Sequence, residues 1–517
     1  MLIDGLQHAG AFPHDVLHIE MLETHISWII LTGEVAYKIK KPLDLGFLNF
    51  STLDLRQYYC NEEVRLNRRF APGLYRDVVP IGGTPEHPKI GTEPAIEWAV
   101  RMHQFPADAG LDHQVAARSV SVADMRRLGE TVAAAHGAAD VATDNGYGSL
   151  NSIRSPARDN FISLAADCAK TDLLDAIATL RQWTEHETAR LEPVFVSRVA
   201  AGHIRECHGD LHVGNIVRLS DEYVPFDCLE FDPALRWIDV ISDVAFLVMD
   251  LLHLERADLA FVFLNRYLEV TGDYTGLAVL PYYIVYRAAV RAKITAVRRR
   301  QENPDTDPAS VTAYLQLASR IATPKRKALL IVCHGVSGSG KTWLSEKLIP
   351  VLAAIRLRSD IVRKKLHGLT ELARSDADVN EGLYARDATR RTYAQIAEFA
   401  KLALDERLNV IIDATCLQRA DRHAFRDIAA TAGASFVIVH CNARRPVLEE
   451  RICRRECGGT DASEANLAVL KYQLARQEPL DRYELAYSVR VDTSGSTELN
   501  TIINAIRSRT DPDTSTR

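Results

Sequence analysis

The octapeptide Gly335-Val-Ser-Gly-Ser-Gly-Lys-Thr342 fits G-x-x-x-x-G-K-[ST] at every fixed position. It follows a continuous apolar run, Ala328-Leu-Leu-Ile-Val-Cys333, and leads into a helical pattern carried by Trp343, Leu344, Lys347 and Leu348. Strand, glycine loop and helix in that order build a phosphate cradle. The glycines let the backbone N–H groups of Gly335, Val336, Ser337, Gly338, Ser339 and Gly340 wrap phosphates, and the helix N-terminus adds a field that favours anions. Lys341 is placed to reach the β- and γ-phosphates of ATP, and the Thr342 hydroxyl to bind magnesium.

Around this loop the apolar runs Leu329–Cys333, Val410–Ile412 and Phe436–His440 alternate with helical patterns, which predicts a mostly parallel sheet covered by helices. Ile355-Arg-Leu-Arg-Ser-Asp360 reads as a strand ending in a carboxylate, with Arg363 three residues on. Asp360 is expected to accept the proton of a substrate hydroxyl, and Arg363 to hold an anionic substrate group. Asn409-Val-Ile-Ile-Asp413 is a second apolar strand ending in a carboxylate, a candidate to assist magnesium. Arg451, Arg454 and Arg455 suit a lid over ATP, with Arg451 and Arg455 the chosen contacts. A solvated helix face is the alternative reading of these arginines.

A second phosphate motif lies upstream in His208-Gly-Asp-Leu-His-Val-Gly-Asn-Ile216. Asp210 and Asn215 have the D-x-x-x-x-N spacing of a kinase catalytic loop, in which the aspartate takes or orients the proton of the attacking hydroxyl. Asn215 and Asp227, which ends the apolar stretch Val224-Pro-Phe-Asp227, supply the oxygen ligands magnesium prefers. Zinc at His208 and His212 is opposed by the glycines, which argue against a helix there. Ile26–Leu31 and Val35–Ile39 flank Thr32-Gly33-Glu34 and predict a hairpin. Its second strand carries Lys38 and Lys40 on one face, so spacing does not choose between them, while Val-Ala-x-Lys favours Lys38. For the partner carboxylate, Glu62 lies at helical spacing with Leu55, Tyr58, Tyr59 and Leu66, whereas Glu63 shares its face with Arg56, Cys60 and Asn67. The apolar phase selects Glu62 as the inward residue.

The segment 208–230 resembles the aminoglycoside phosphotransferase-like kinases, which carry H-G-D-x-x-x-x-N. The resemblance covers roughly residues 20–300. It implies ATP- and magnesium-dependent phosphorylation of small-molecule hydroxyls, with Asp210 as base and Asn215 and Asp227 as magnesium ligands. A departure is the lack of G-x-G-x-x-G before Lys38. Residues 328–500 resemble P-loop kinases of the polynucleotide-kinase, gluconate-kinase and zeta-toxin type, with Ser359-Asp360-Ile361-Val362-Arg363 matching their S-D-x-x-R. Together the motif sets resemble bacterial bifunctional proteins that join the two folds. Two rival readings are a regulatory ATP-binding protein whose first domain is a pseudokinase or ligand sensor, and polynucleotide-kinase-like end repair.

The whole chain sets the frame. Its 517 residues exceed one hydrophobic core. Apolar content of 47%, charged content of 25% and net charge −6 describe a globular protein and argue against a nucleic-acid partner. No apolar run approaches the ~20 residues of a membrane span, and the nine cysteines form no zinc pattern. These features suggest a cytoplasmic protein with reduced thiols and no membrane partner. The expected order is an α+β two-lobed protein-kinase-like domain over 1–300, a linker over 301–327, an α/β P-loop domain over 328–505 and a disordered tail over 506–517.

Overall fold

Thr32-Gly33-Glu34 does turn the chain between two antiparallel strands, Ser27–Leu31 and Val35–Lys40. The computed structural model describes every residue except 47, 144–145, 169–171, 303–308, 374–384, 459–460, 496–497 and 511–517. The hairpin lies in a six-stranded antiparallel sheet, in the order Glu20–Glu23, Ser27–Leu31, Val35–Lys40, Glu97–His103, Tyr75–Thr84 and His87–Ile90. Val35–Lys40 is buried along its whole length, so its two faces serve two cores. Tyr37 and Ile39 pack with Ile30, Ile81 and Leu6 on one side. Ala36 packs on the other with Cys60, Val64 and Val100. The two-residue period therefore turns Lys38 and Lys40 toward the helix Leu53–Asn67. That helix is capped by Thr52, whose side chain accepts the Leu55 N–H.

A largely helical part follows, and in it the two-stranded hairpin Ile216–Leu219 and Glu222–Pro225. The second sheet has five parallel strands in the order Ala354–Arg358, Asn409–Asp413, Leu329–His334, Ser435–Asn442 and Ser488–Asp492. All five are parallel, and the strand that feeds the glycine loop is central. Ligands of such sheets gather at the carboxyl ends of the strands. Here those ends present Gly335, Arg358 and Asp413.

The compact units do not follow the division expected at residues 300 and 328. The first comprises Met1–Leu251 and Tyr286–Thr312, the second Leu252–Val285 and Ala313–Arg517. Segment 252–285 joins the second unit because its helix Ala257–Thr271 packs on Lys341–Leu352 and on strand Ala354–Arg358. The expected linker contains a helix, Ala309–Ala322, with Tyr314, Leu315 and Ala318 buried. Of the expected tail, residues through Thr510 belong to the helix Leu499–Thr510, and 511–517 lie outside the described residues. Among the described residues no helix is long and apolar enough to cross a membrane.

Candidate active sites

In the first unit the hairpin places Asn215 and Asp227 at one end, since Ile216 pairs with Pro225 and the Phe226 N–H donates to the Asn215 carbonyl (2.9 Å). Asn215 Nδ2 donates to Asp210 Oδ2 (2.9 Å). His208 joins the two loops. Its Nε2–H donates to the Phe226 carbonyl (2.9 Å) and its Nδ1 accepts the Asp210 N–H (3.3 Å). Burial pushes His208 below the usual histidine range, so it stays neutral. His212 Nδ1 accepts the Gly214 N–H (3.0 Å) and its Nε2 faces Asp210 Oδ2 at 3.4 Å. The two histidines thus serve separate loop contacts. Asp243, fully buried, accepts the N–H groups of His208 (3.0 Å) and Gly209 (2.9 Å). Gly209 has φ +86°, and a Cβ there would sit 2.8 Å from the Leu235 carbonyl, so the middle position of His-Gly-Asp has no room for another residue.

Burial alone would raise the Asp210 carboxyl, but the hydrogen bond and charge of His212, with the charge of Arg287, outweigh it and hold it at about 2. Asp227 has φ +64°, a strained conformation for a non-glycine residue. It is held by its N–H to Tyr75 Oη (3.1 Å) and by the next N–H, of Cys228, to Asn67 Oδ1 (2.9 Å).

Lys38 Nζ lies 2.5 Å from Asp227 Oδ1 and 2.8 Å from Glu63 Oε1. Lys40 Nζ contacts Glu63 Oε2 at 2.7 Å and also Glu230. Glu62 is therefore not the lysine partner. It pairs with Arg65 (2.8 Å) and lies 3.6 Å from Arg236. The apolar phase misleads because the inward face of this helix is polar. Arg56 is buried against Glu97, Glu63 against the lysines and Asn67 against the Asp227 loop.

In the second unit the glycine loop closes on itself, with Lys341 Nζ donating to the Val336 carbonyl (2.9 Å). Gly335 has φ +144°, and a Cβ there would lie 2.3 Å from the Cys441 carbonyl. Ser339 Oγ is buried without a protein hydrogen-bond partner. A backbone that excludes side chains and leaves a buried hydroxyl open fits a phosphate-bearing nucleotide. Thr342 Oγ1 lies 3.4 Å from Asp413 Oδ1, and Ser345 Oγ donates to Asp413 Oδ2 (2.9 Å). A hydroxyl and a buried carboxylate side by side also suit magnesium. Asp360 and Arg363 sit on the first turns of the helix Ser359–Leu366 rather than in a strand, with Arg363 Nη1 3.2 Å from Asp360 Oδ1. Burial would raise Asp360, but Arg363, Arg358 and Arg455 outweigh it and keep its carboxyl low.

The loop, Asp360, Arg363 and Asp413 line one cavity of about 940 Å³, as do Arg451, Arg454 and Arg455. The arginines differ in employment. Arg451 braces the loop, donating to the Gly338 carbonyl (3.1 Å) and to Thr493 Oγ1 (2.9 Å). Arg455 donates to the Ala465 carbonyl (2.7 Å), and exposed Arg454 pairs with Glu450. Several contacts have no motif to announce them. Gln473 caps the Ser337 N–H (2.7 Å), and Thr493 Oγ1 donates to the Ser339 carbonyl (3.0 Å). Ser345 carried the one readable signal, lying three residues beyond Thr342 on the same helix face.

Acid stability follows from the buried carboxylates of the first unit. Glu63 is held at about 2 because Lys38 and Lys40 outweigh its burial, and Glu206 at about 2 because Arg65 and Arg236 do. Both values lie below the ordinary 4.5. Their contribution is full above the unfolded value and is lost as pH falls through the folded one. The melting temperature is expected to start declining below about pH 6.5, where the buried neutral His208 resists protonation, and to fall steeply between about pH 4.5 and 2. A flat profile across that lower window, followed by circular dichroism, would contradict these pairings.

The first unit has a two-lobed protein-kinase-like fold, with lysine and glutamate on strand and helix and a catalytic-type loop beyond. The second has the α/β fold of P-loop kinases. Comparison with known proteins finds several similarities. Residues 330–480 match the AAA domain family model. An uncharacterized protein of Mycobacterium tuberculosis (strain ATCC 25618 / H37Rv) is 29% identical over 486 residues, covering 93% of each chain. An uncharacterized protein of Mycobacterium bovis matches to the same extent. Among solved structures, a choline/ethanolamine kinase family protein from Mesorhizobium loti is 12% identical, with 63% of this chain and 96% of that one covered and a TM-score of 0.39. A gluconokinase from Sinorhizobium meliloti 1021 is 25% identical, with 36% and 93% covered and a TM-score of 0.24.

Proposed function

We propose that this protein is an ATP- and magnesium-dependent phosphotransferase with two kinase folds, each transferring a phosphoryl group to a hydroxyl of a small molecule such as a sugar or small alcohol. The observation that carries the reading is a cavity of the second unit in which a phosphate cradle and the ionised Asp360 face the same space. Its volume of about 940 Å³ is at the upper end for small-ligand sites, room for a nucleotide and a compact acceptor together. The acceptor oxygen forms a bond to the γ-phosphorus as the bond to the bridging oxygen of ADP breaks, and the hydroxyl proton passes to the carboxylate. Asp360 takes that proton in the second unit and Asp210 in the first. Magnesium, held by Thr342 and Asp413 in one site and by Asn215 and Asp227 in the other, would neutralise charge on the phosphate oxygens. Lys341 and Lys38 bind phosphate, and Arg363 holds an anionic group of the acceptor.

A second reading has one observation in its favour. The turn between the first two strands, residues 24–26, is short and has no glycine to cover phosphates. On that reading the first unit senses a ligand and gates the second.

Transfer of label from γ-labelled ATP into a metabolite extract decides between them. The wild type is compared with Asp210→Asn and Lys341→Ala, and labelled products are identified by mass. Two working kinases lose different products in the two variants. Loss with Lys341→Ala alone makes the first unit a sensor. A wild-type protein that labels nothing, across extracts and divalent cations, would sink the phosphotransferase reading.

A further inference from the structure

The first site contains one more lysine than its chemistry requires. Lys38 alone would satisfy Glu63 and reach a nucleotide, yet Lys40 is buried beside it, with its own carboxylate, Glu230. The five groups differ in access. Glu63, Lys40 and Glu230 are almost wholly enclosed, whereas the Asp227 side chain is 43% exposed. Lys38 spans the two zones, with Glu63 behind it and Asp227 in front. Formally, three carboxylates face two ammonium groups, leaving one negative charge in excess at the open side.

Lys38 contacts the carboxylate assigned to magnesium. To serve phosphate it must let go of Asp227 and share its charge with the ligand. Glu63 would then depend on a counter-ion that has partly turned away, and an uncompensated buried carboxylate is costly. Lys40 removes that cost. It contacts Glu63 Oε2 at 2.7 Å, on the other oxygen from the one Lys38 faces, and Glu230 balances Lys40 in turn. The ring of Phe50, 4.9 Å from Lys40 Nζ, helps enclose the ammonium. We propose that Lys40, backed by Glu230, is a positioning residue: it anchors Glu63 so that Lys38 is free to leave Asp227 for the phosphates of a nucleotide. The proposal rests on reading the first unit as a nucleotide site.

The test uses the full chain with Lys341→Ala, which disables the second site, and titrates MgADP by calorimetry. Onto this parent are placed Lys38→Met, Lys40→Met and the pair Lys40→Met/Glu230→Gln, with thermal unfolding measured for each. Lys38→Met and Lys40→Met are each expected to weaken MgADP by tenfold or more, and Lys40→Met also to lower the melting temperature. The pair removes both buried charges, so it should recover most of the stability while affinity stays at least tenfold down, because Glu63 still has only Lys38. A merely structural Lys40 predicts the opposite, affinity returning with stability, and that result would overturn the proposal. So would undiminished binding by Lys40→Met, or weak binding by Lys40→Met with tight binding by Lys38→Met, which would make Lys40 the phosphate lysine. A parent that takes up no MgADP fails before any first-site substitution is made, and it refutes the underlying reading and this proposal together.

Discussion

Replacing Lys341 by alanine is expected to slow phosphoryl transfer by the second unit by on the order of 10²–10³-fold, about 3–4 kcal/mol of transition-state stabilisation. The size follows from the surroundings. Lys341 is nearly buried, at 9% exposed, so its charge is less screened than that of a surface lysine. Its ammonium now donates to the Val336 carbonyl within its own loop, and an incoming phosphate replaces that weak partner with a strong one. The fold should survive, because the hydrogen bond lost is local and the helix Lys341–Leu352 is packed through Leu344, Leu348 and Ile349. Rates measured on the products labelled by the wild type, with melting curves alongside, check this. A variant that keeps a third or more of the wild-type rate would exclude the cradle as the place of catalysis.

The largest expected effect on stability is at Arg356, a residue no motif marks. Its guanidinium donates to Glu269 from Nε (2.9 Å) and Nη2 (2.6 Å), and its N–H to Asn265 Oδ1 (2.6 Å). Both charged side chains are at most 2% exposed. Truncation to alanine removes both donors from Glu269 Oε1 and leaves that buried carboxylate the longer contact of Oε2 with Arg266 (3.6 Å), a cost of about 3–5 kcal/mol. For a unit of this size that lowers the melting temperature by roughly 6–20 °C. Replacing both partners, Arg356→Met with Glu269→Leu, should recover most of the loss. Calorimetric melting of the three chains checks it. A drop of a degree or two for Arg356→Ala would show that the pair does not join Ala257–Thr271 to the parallel sheet.

Backbone-driven features were legible in the sequence. The hairpin at Gly33, the parallel strands and the glycine loop each come from short-range rules of alternation and backbone conformation. The loop His208–Ile216 and the carboxylate at 227 were legible because a fixed spacing around glycines leaves few geometries. Glu63 was misread since hydrophobic phase presumes an apolar interior, and the helix Leu53–Asn67 turns Arg56, Glu63 and Asn67 inward against charged partners. Nothing local could place Glu269 near Arg356 or Gln473 near Ser337, because these contacts join residues 87 and 136 positions apart. The division into units was misjudged for the same reason. A polar, proline-containing stretch interrupts the local pattern but does not tell where the packing partners of its neighbours lie.

The segment 252–285 also fixes an order of events during synthesis. The ribosome releases Ala257–Thr271 before any strand of the parallel sheet exists, so Leu259, Phe263, Leu264 and Tyr267, all buried in the finished protein, emerge ahead of the rest of their unit. At ordinary elongation speeds the wait lasts several seconds. During it the apolar residues of this helix lack the strand and helix of their own unit that they pack with in the finished protein.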